Sequence, residues 1–470
     1  MTMKFRPYQV RMIQAQDKFM SDPDATRGTI LCATGGGKTE VFQDLIMKVV
    51  TAMSHGAARI LVVHPRIALS QNQQNRFAKT FAGMGIEFTN FHSGQAKTHT
   101  LNDKKNVSTT DTNVLQEIMN SHNGAHITFS SYKSLHRIAA MNFDLIICDE
   151  AHYLVQSDLR ENMHLFKSKT LFYTGTPVRM AAAEASMDNV ELFGPVIADV
   201  SPKELIPNGY IVRPRIRTVN VLSTDNGNTE DYVSAIAAAF KDQLTFAHKD
   251  FVHKMLVAMP NTMNFSDIAN ELSEIRNIVG NNDIDLYYVT ADTAVKNGSL
   301  QMDRDALVAD FAKNPNPSII MHCDTLAEGI DVDGIGGVLI LRGLGMVKAI
   351  QTIGRGCRAA NADIIKSGAL AGELRKNRIK TECIVTIARF NGEWAGDSNL
   401  STYAAMFEQG GYDLAEFWAD VEDQHNMPTP GGELMDRDDA IYKEATDILV
   451  TEGQDALFWE LFDTSAKEVQ

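Results

Sequence analysis

The chain has 470 residues, 44% of them apolar, enough for two to three domains with a sizeable core. Its formal charge of −15 is unevenly placed: residues 396–470 hold 18 of the 59 acids and 3 of the 44 bases, which leaves 41 of each sign in the preceding 395 residues. The acidic total therefore does not exclude a polyanionic partner, since a neutral body can still carry a basic stripe. No apolar run approaches the roughly 18 residues needed to span a bilayer, and no signal peptide precedes Phe5. The missing span leaves no membrane partner expected, and the five cysteines (32, 148, 323, 357 and 383) form no C-x-x-C pair, which points to reduced, mostly buried thiols in a cytoplasmic setting, without disulfides or a zinc site.

Taken in chain order, short apolar or β-branched runs at 29–33, 59–64, 86–91, 126–130, 144–148 and 170–174 predict strands, with helical patterns between several of them. The polar stretch 97–124 reads as loop-rich. After a turn-rich segment, 222–231, a second series follows at 255–259, 284–289, 318–323, 337–341 and 383–388, with helical spacers such as 266–279. Strands alternating with helices predict an α/β fold of doubly wound parallel sheets. A break at 391–399 opens the acidic segment, which the Pro-Thr-Pro-Gly-Gly run at 428–432 divides. The expected domains are 1–200 and 201–395, with a small acidic, mainly helical extension over 396–470.

Two runs carry chemistry. Cys32-Ala33-Thr34-Gly35-Gly36-Gly37-Lys38-Thr39 lies between the strand at 29–33 and a helix expected to begin at Glu40. Without a Cβ at Gly35, Gly36 and Gly37, and with Thr34 beside them, successive backbone N–H groups can close around phosphates. Lys38 would reach the β- and γ-phosphates and the Thr39 hydroxyl would ligate magnesium. Cys32 stands where the general pattern has glycine. The second run, Asp149-Glu150-Ala151-His152, follows an apolar strand; Asp149 would hold the magnesium shell and Glu150 accept a proton from the attacking water. The bland reading is a turn and a pair of surface acids. Their placement at strand C-terminal ends, where α/β sheets bind ligands, favours Mg-ATP hydrolysis.

The second series lacks a phosphate loop. It offers Asp324-Thr325-Leu326-Ala327-Glu328-Gly329-Ile330-Asp331 and Gln351-Thr352-Ile353-Gly354-Arg355-Gly356-Cys357-Arg358. With these the chain resembles the superfamily 2 helicases over residues 5–390, in family order. Phe5-Arg6-Pro7-Tyr8-Gln9 looks like the adenine-reading element, which makes Arg6 and Gln9 nucleotide contacts. His64-Pro65-Arg66 and Phe129-Ser130-Ser131-Tyr132 match strand-contacting segments, and Thr174-Gly175-Thr176-Pro177 matches the coupling motif, with His152, Thr174 and Thr176 as its polar groups. Gly329 and Asp331 join the nucleotide site, and Gln351, Arg355 and Arg358 match the arginine-finger motif. The resemblance implies two tandem RecA-like domains. Guanidinium groups from the second can stabilise charge on the γ-phosphate, and a three-residue spacing would set Arg355 and Arg358 on one helical face. The alternative is two solvated bases, against which the flanking Gly354 and Gly356 argue.

By the same resemblance Pro65, Arg66, Ser93, Gly94, Ser130, Ser131 and Thr325 would grip a nucleic-acid backbone without reading its sequence. Ordinary capping and turn hydroxyls are the alternative for Ser93 and Ser130. Asp-Glu-Ala-His, the Arg-Pro-Tyr-Gln start, Thr174 to Arg179 and the bridge Glu204 to Tyr210 look like the DNA-acting, ResIII-type group. That group includes phage UvsW-like helicases, bacterial RadD-like proteins and restriction-enzyme motor subunits. Without a cysteine-rich module after the motor or room for a nuclease before Phe5, the chain most resembles the phage type. A monomeric motor in a bacterial or phage-infected cytoplasm is the corresponding expectation. Three functions stay open: a DNA helicase or translocase on forks or branches, an RNA-remodelling ATPase, and an ATP-gated binding switch. For the acidic segment a solvated face, a protein-docking element and a polyanion competing for the nucleic-acid path are all consistent with its composition.

Overall fold

The computed structural model describes residues 5–53, 58–92, 100–101, 104–105, 107–179, 186–221, 228–246, 253–262, 264–290, 293–323, 332, 334–359, 380, 382–390, 393–394 and 400–425. The chain divides into two compact units, Met1–Ser201 and Pro202–Gln470.

The strands of the first unit are β1 (Arg27–Cys32), β2 (Arg59–His64), β3 (Glu87–Phe91), β4 (Thr100–Leu101), β5 (Lys104–Lys105), β6 (Val107–Thr109), β7 (His126–Ser131), β8 (Leu145–Asp149), β9 (Thr170–Thr174) and β10 (Val196–Val200). Apart from the β4–β5 hairpin they form one sheet in the order β10-β1-β9-β8-β2-β7-β3-β6. Every pairing within it is parallel. Strands covered on both faces must be apolar throughout, and β8 (Leu-Ile-Ile-Cys-Asp) is buried at all five positions. Helices α1 (Pro7–Ser21), α2 (Lys38–Ala52), α3 (Ile67–Thr80) and α4 (Thr112–Ser121) are among those connecting or flanking the strands.

Helix α2 begins at Lys38, two residues earlier than the sequence pattern suggests, because Gly37 at φ 81° supplies the left-handed turn that starts it. Helix α4 and strand β6 lie in the stretch expected to be loop-rich. There the Asp111 carboxylate accepts from the N–H groups of Asn113 and Val114, and Leu115 and Met119 are buried. A capped helix with only two buried side chains is easily hidden by polar composition.

In the second unit the strands are β11 (Arg213–Val221), β12 (Lys254–Ala258), β13 (Asp285–Val289), β14 (Ala294–Lys296), β15 (Leu300–Gln301), β16 (Ser318–His322), β17 (Ile335–Ile340), β18 (Glu382–Phe390) and β19 (Glu393–Trp394). Their order is β11-β18-β17-β12-β16-β13-β14-β15, with β19 on β18. The central pairings are parallel and the short ones antiparallel. Alternation splits the apolar residues of β12: Leu256 and Ala258 face one core, Met255 and Val257 the other. The second core takes helix Thr229–Phe246 and the pair Phe265–Asn270 and Leu272–Val279, where the sequence pattern shows one helix over 266–279. These two units have the tandem RecA-like architecture, with a helical C-terminal region.

The first half of the acidic segment is part of the second unit's core. Helices Leu400–Gln409 and Leu414–His425 bury Tyr403, Phe407, Phe417 and Val421 in the same cluster as β12 and β17. The buried Asp420 carboxylate accepts from the Arg213 guanidinium and, at 3.0 Å, from the Ile216 N–H. Asp420→Ala should therefore destabilise the chain by about 2 kcal/mol in urea unfolding; an unchanged midpoint would show that these bonds hold nothing. Truncation at 396 would open this core, so any test of the remaining acidic residues belongs after 425. Residues 426–470 lie outside the described residues. Among the described residues no helix is long and apolar enough to cross a membrane. All five cysteines are free, four of them buried and Cys323 half-buried.

Candidate nucleotide site

Strand order builds the site of the first unit. Neighbours β1, β9, β8 and β2 run parallel, so the segments leaving their C-terminal ends emerge side by side on one edge. Those segments are 33–37, 175–177, 150–152 and 65–66, the four runs singled out in the sequence.

In the phosphate loop Gly35 and Gly37 hold φ values of 83° and 81°. A Cβ at Gly37 would collide with Gln9 Nε2. Gly175, between Thr174 and Thr176, packs against the loop: a Cβ there would lie 2.8 Å from the Cys32 carbonyl oxygen, 3.0 Å from Thr34 N and 3.1 Å from Lys38 Nζ. The Thr-Gly-Thr run signalled this position, but only the pairing of β9 with β1 shows what the glycine is for. Lys38 Nζ donates to the Cys32 carbonyl at 3.2 Å and stands 3.9 Å from Glu150 Oε1. Burial pushes the Cys32 thiol up to about 11, so it is an inert small side chain in place of the usual glycine.

Helix α1 is fastened to the loop at its first turn. Tyr8 OH donates to the Gly36 carbonyl at 3.0 Å and accepts from Arg6 Nη1 at 2.6 Å; Gln9 Oε1 accepts from Arg6 N at 3.0 Å and its Nε2 reaches the Gly36 carbonyl at 3.4 Å. Arg6 and Gln9 are thus beside the phosphate loop, and Tyr8, which the sequence motif contains but to which it gave no role, is the buried post between them. On the other side, Gln73 Nε2 of α3 donates to Thr39 Oγ1 at 3.3 Å.

Asp149 ends β8 almost completely buried, with Tyr132 OH donating to its carbonyl at 2.7 Å and the Glu150 N–H donating to its Oδ1 at 3.1 Å. Burial alone would raise its carboxyl. His64, whose Nδ1 is 3.4 Å from Asp149 Oδ2, together with the Lys38 charge and the Glu150 N–H, instead holds it below its ordinary value. Glu150 follows at φ 51° and ψ 50°, a left-handed backbone that costs a non-glycine residue about 1–3 kcal/mol and is kept where function needs it. The strain turns its partly exposed carboxylate back toward Lys38 and His152.

His152 is fully buried, with Nδ1 at 2.9 Å from Thr174 Oγ1, 3.0 Å from Thr176 Oγ1 and 3.5 Å from Glu150 Oε2. Burial, then the Lys38 charge, pushes it down to about 3, and burial does the same for His126 in β7. Both rings are neutral when folded but gain protons below about pH 6.5 when unfolded. Stability contributed by each is complete above that value and falls by about 1 kcal/mol per pH unit between 6.5 and 3. The unfolding midpoint should drop over that range, and His126→Gln should flatten the slope; a slope unchanged in that variant would contradict the assignment.

Of the expected nucleic-acid contacts, Arg66 is exposed at the start of α3 and Pro65 half-buried. Ser130 is buried and its hydroxyl donates to the carbonyls of Phe91 and Ser131, while Ser131 Oγ pairs with Ser134 Oγ at 3.0 Å. Ser93, Gly94, Thr325, Gly329 and Asp331 lie outside the described residues. In the second unit Gln351 and Arg355 are buried within helix Met346–Gly356. That helix ends before Arg358, which forms an antiparallel bridge with Ile211. The two arginines are therefore not related by a helical turn, as their spacing suggested; Gly356 ends the helix between them.

Two RecA-like units, one with a phosphate loop beside a strained Asp-Glu pair, define the class of fold and site. Residues 2–179 match the family described as Type III restriction enzyme, res subunit. A Saccharomyces cerevisiae protein described as an ATP-dependent helicase, IRC3, is 23% identical over 343 residues, covering 69% of this chain and 45% of the yeast one. The ATP-dependent Type ISP restriction-modification enzyme LlaBIII, solved bound to DNA, superposes with a TM-score of 0.62 at 15% identity, over 94% of this chain and 32% of that one. A fragment described as an HsdR subunit of a type I restriction enzyme from Vibrio vulnificus YJ016 gives 0.51 at 18% identity, over 84% and 71%. The chain thus spans less than half the length of the yeast relative and about a third of the Type ISP enzyme.

Proposed function

We propose that the protein is an ATP hydrolase and superfamily 2 helicase motor that couples Mg-ATP hydrolysis to movement along, or strand separation of, DNA. The observation that carries this reading is the convergence of Lys38, Asp149, the strained Glu150 and the His152–Thr174–Thr176 cluster at one sheet edge. The match of residues 2–179 and the DNA-bound structural relative support it.

The residues fit a magnesium nucleotide. Thr39 and a carboxylate held ionised offer hard oxygens, and the loop is one that a Cβ at Gly37 or Gly175 would obstruct. Magnesium, when bound, neutralises phosphate charge and would be held by Thr39 and Asp149. Lys38 and the backbone N–H groups of 35–39 bind and orient the phosphates. Glu150 accepts a proton from the attacking water at its carboxylate. His152, neutral and bridged to both threonines, ties Glu150 to the segment that touches the phosphate loop at Gly175, so that a shift at the γ-phosphate is felt along β9. Arg355 and Arg358, with Gln351, supply transition-state charge from the second unit.

Arg66 and Pro65 at the head of α3 engage the backbone of the nucleic acid. Within the superfamily a phage UvsW-like or RadD-like motor on forks or branches is the preferred assignment. Comparing ATP turnover with single-stranded, duplex and forked DNA and with RNA tests it, together with strand displacement. Stimulation by RNA alone would sink the DNA assignment, and stimulation without displacement or translocation would leave a binding switch.

A further inference from the structure

Lys380 is separated in sequence from the arginine motif, yet it is almost completely buried and directed at that motif's main chain. Its ammonium donates to the carbonyls of Gly356, of Arg358 at 2.9 Å and of Ile335 at 2.5 Å. A buried ammonium has three donors to satisfy, and here three carbonyls meet them. Gly356 is the last residue of helix Met346–Gly356, where carbonyls lack intrahelical partners and the helix dipole favours a cation. Arg358 lies beyond the helix end, and Ile335 opens β17.

The other restraints on this segment are of the same kind. Val212 N donates to the Cys357 carbonyl at 2.8 Å, and Ile211 bridges Arg358. A side chain at Gly356 would collide with Cys383 Sγ of β18. The end of the helix is therefore pressed onto the sheet, and Lys380 bonds its last carbonyl.

We infer that Lys380 is the positioning residue of the arginine segment: by fixing the end of helix Met346–Gly356 and the backbone of residue 358, it sets where Arg355 and Arg358 present their guanidinium groups. The inference rests on the transition-state role given to those arginines above.

The 470-residue chain, assayed with saturating single-stranded DNA, separates the inference from the arginine reading on which it rests. Lys380→Met should lower kcat for ATP about 10²-fold, the cost of a small misplacement, while KM and equilibrium nucleotide affinity stay within about twofold. Lys380→Arg, which keeps cationic donors, should recover part of the loss. The triple variant Lys380→Met/Arg355→Ala/Arg358→Ala should be no slower than Arg355→Ala/Arg358→Ala, since Lys380 acts through those two groups. Wild-type kcat in Lys380→Met while Arg358→Ala is impaired overturns the inference, and so does a further loss when Lys380→Met is added to Arg355→Ala/Arg358→Ala. Wild-type kcat in both Arg355→Ala and Arg358→Ala overturns the arginine reading and the inference with it. Should Lys380→Met fail to fold, Lys380→Gln, which keeps an amide donor, decides instead: an undiminished kcat in that folded variant counts against the positioning role.

Discussion

Lys38→Ala is expected to lower kcat/KM for ATP by about 10³-fold, the scale set by removing a preorganised charge from a forming transition state. Lys38 is the only lysine of the phosphate loop, and its Nζ sits between the Cys32 carbonyl and Glu150 Oε1. At 3.9 Å the ion pair with Glu150 is weak, so a phosphate oxygen competes with it readily. Truncation removes the cation proposed both to bind the nucleotide and to meet its developing charge, so affinity and turnover should fall together. Nucleotide titration and phosphate release measure the two. Turnover within tenfold of the unmodified protein would remove Lys38 from the mechanism.

Glu150→Gln should behave differently. The amide has the same shape and the same demand on the left-handed backbone at φ 51°, but it cannot take a proton. Turnover should fall by about 10²- to 10⁴-fold, with ATP affinity nearly unchanged. The variant would then hold ATP without consuming it. Equilibrium binding of labelled ATP and single-turnover hydrolysis, run side by side, give the two quantities. Near-normal turnover would transfer the proton-accepting role elsewhere, and a large loss of affinity would mean that the carboxylate mainly holds Lys38.

Most of the sheet strands were legible because a parallel sheet buried on both faces requires continuous apolar runs, as in β2 and β8. Strand β11 was not. Its alternate residues Arg213, Arg215 and Arg217 interrupt any apolar run, yet each meets an acid from another element: Asp420, Glu382 and Asp242. Helix α4 was missed for its polar composition. The Thr-Gly-Thr run was visible, but the role of Gly175 was not, and neither the part played by Tyr8 nor that of Lys380 stands out in sequence. One is an aromatic beside a proline; the other is one base in a run of several.

By itself the sequence determined the chemistry available: a glycine-rich loop ending in Lys38-Thr39, adjacent carboxylates at 149–150, and arginines at 355 and 358. It did so because the phosphate binding and water activation proposed for these groups restrict residue types at fixed local spacings. Tertiary structure decided which of these groups meet. The order β1-β9-β8-β2 sets Gly175 against the phosphate loop and His152 between Glu150 and two threonines. It also drew the first half of an acidic tail into a core through Asp420 and Phe417. Strand order and burial depend on pairing across more than a hundred residues, and local spacing carries no record of that.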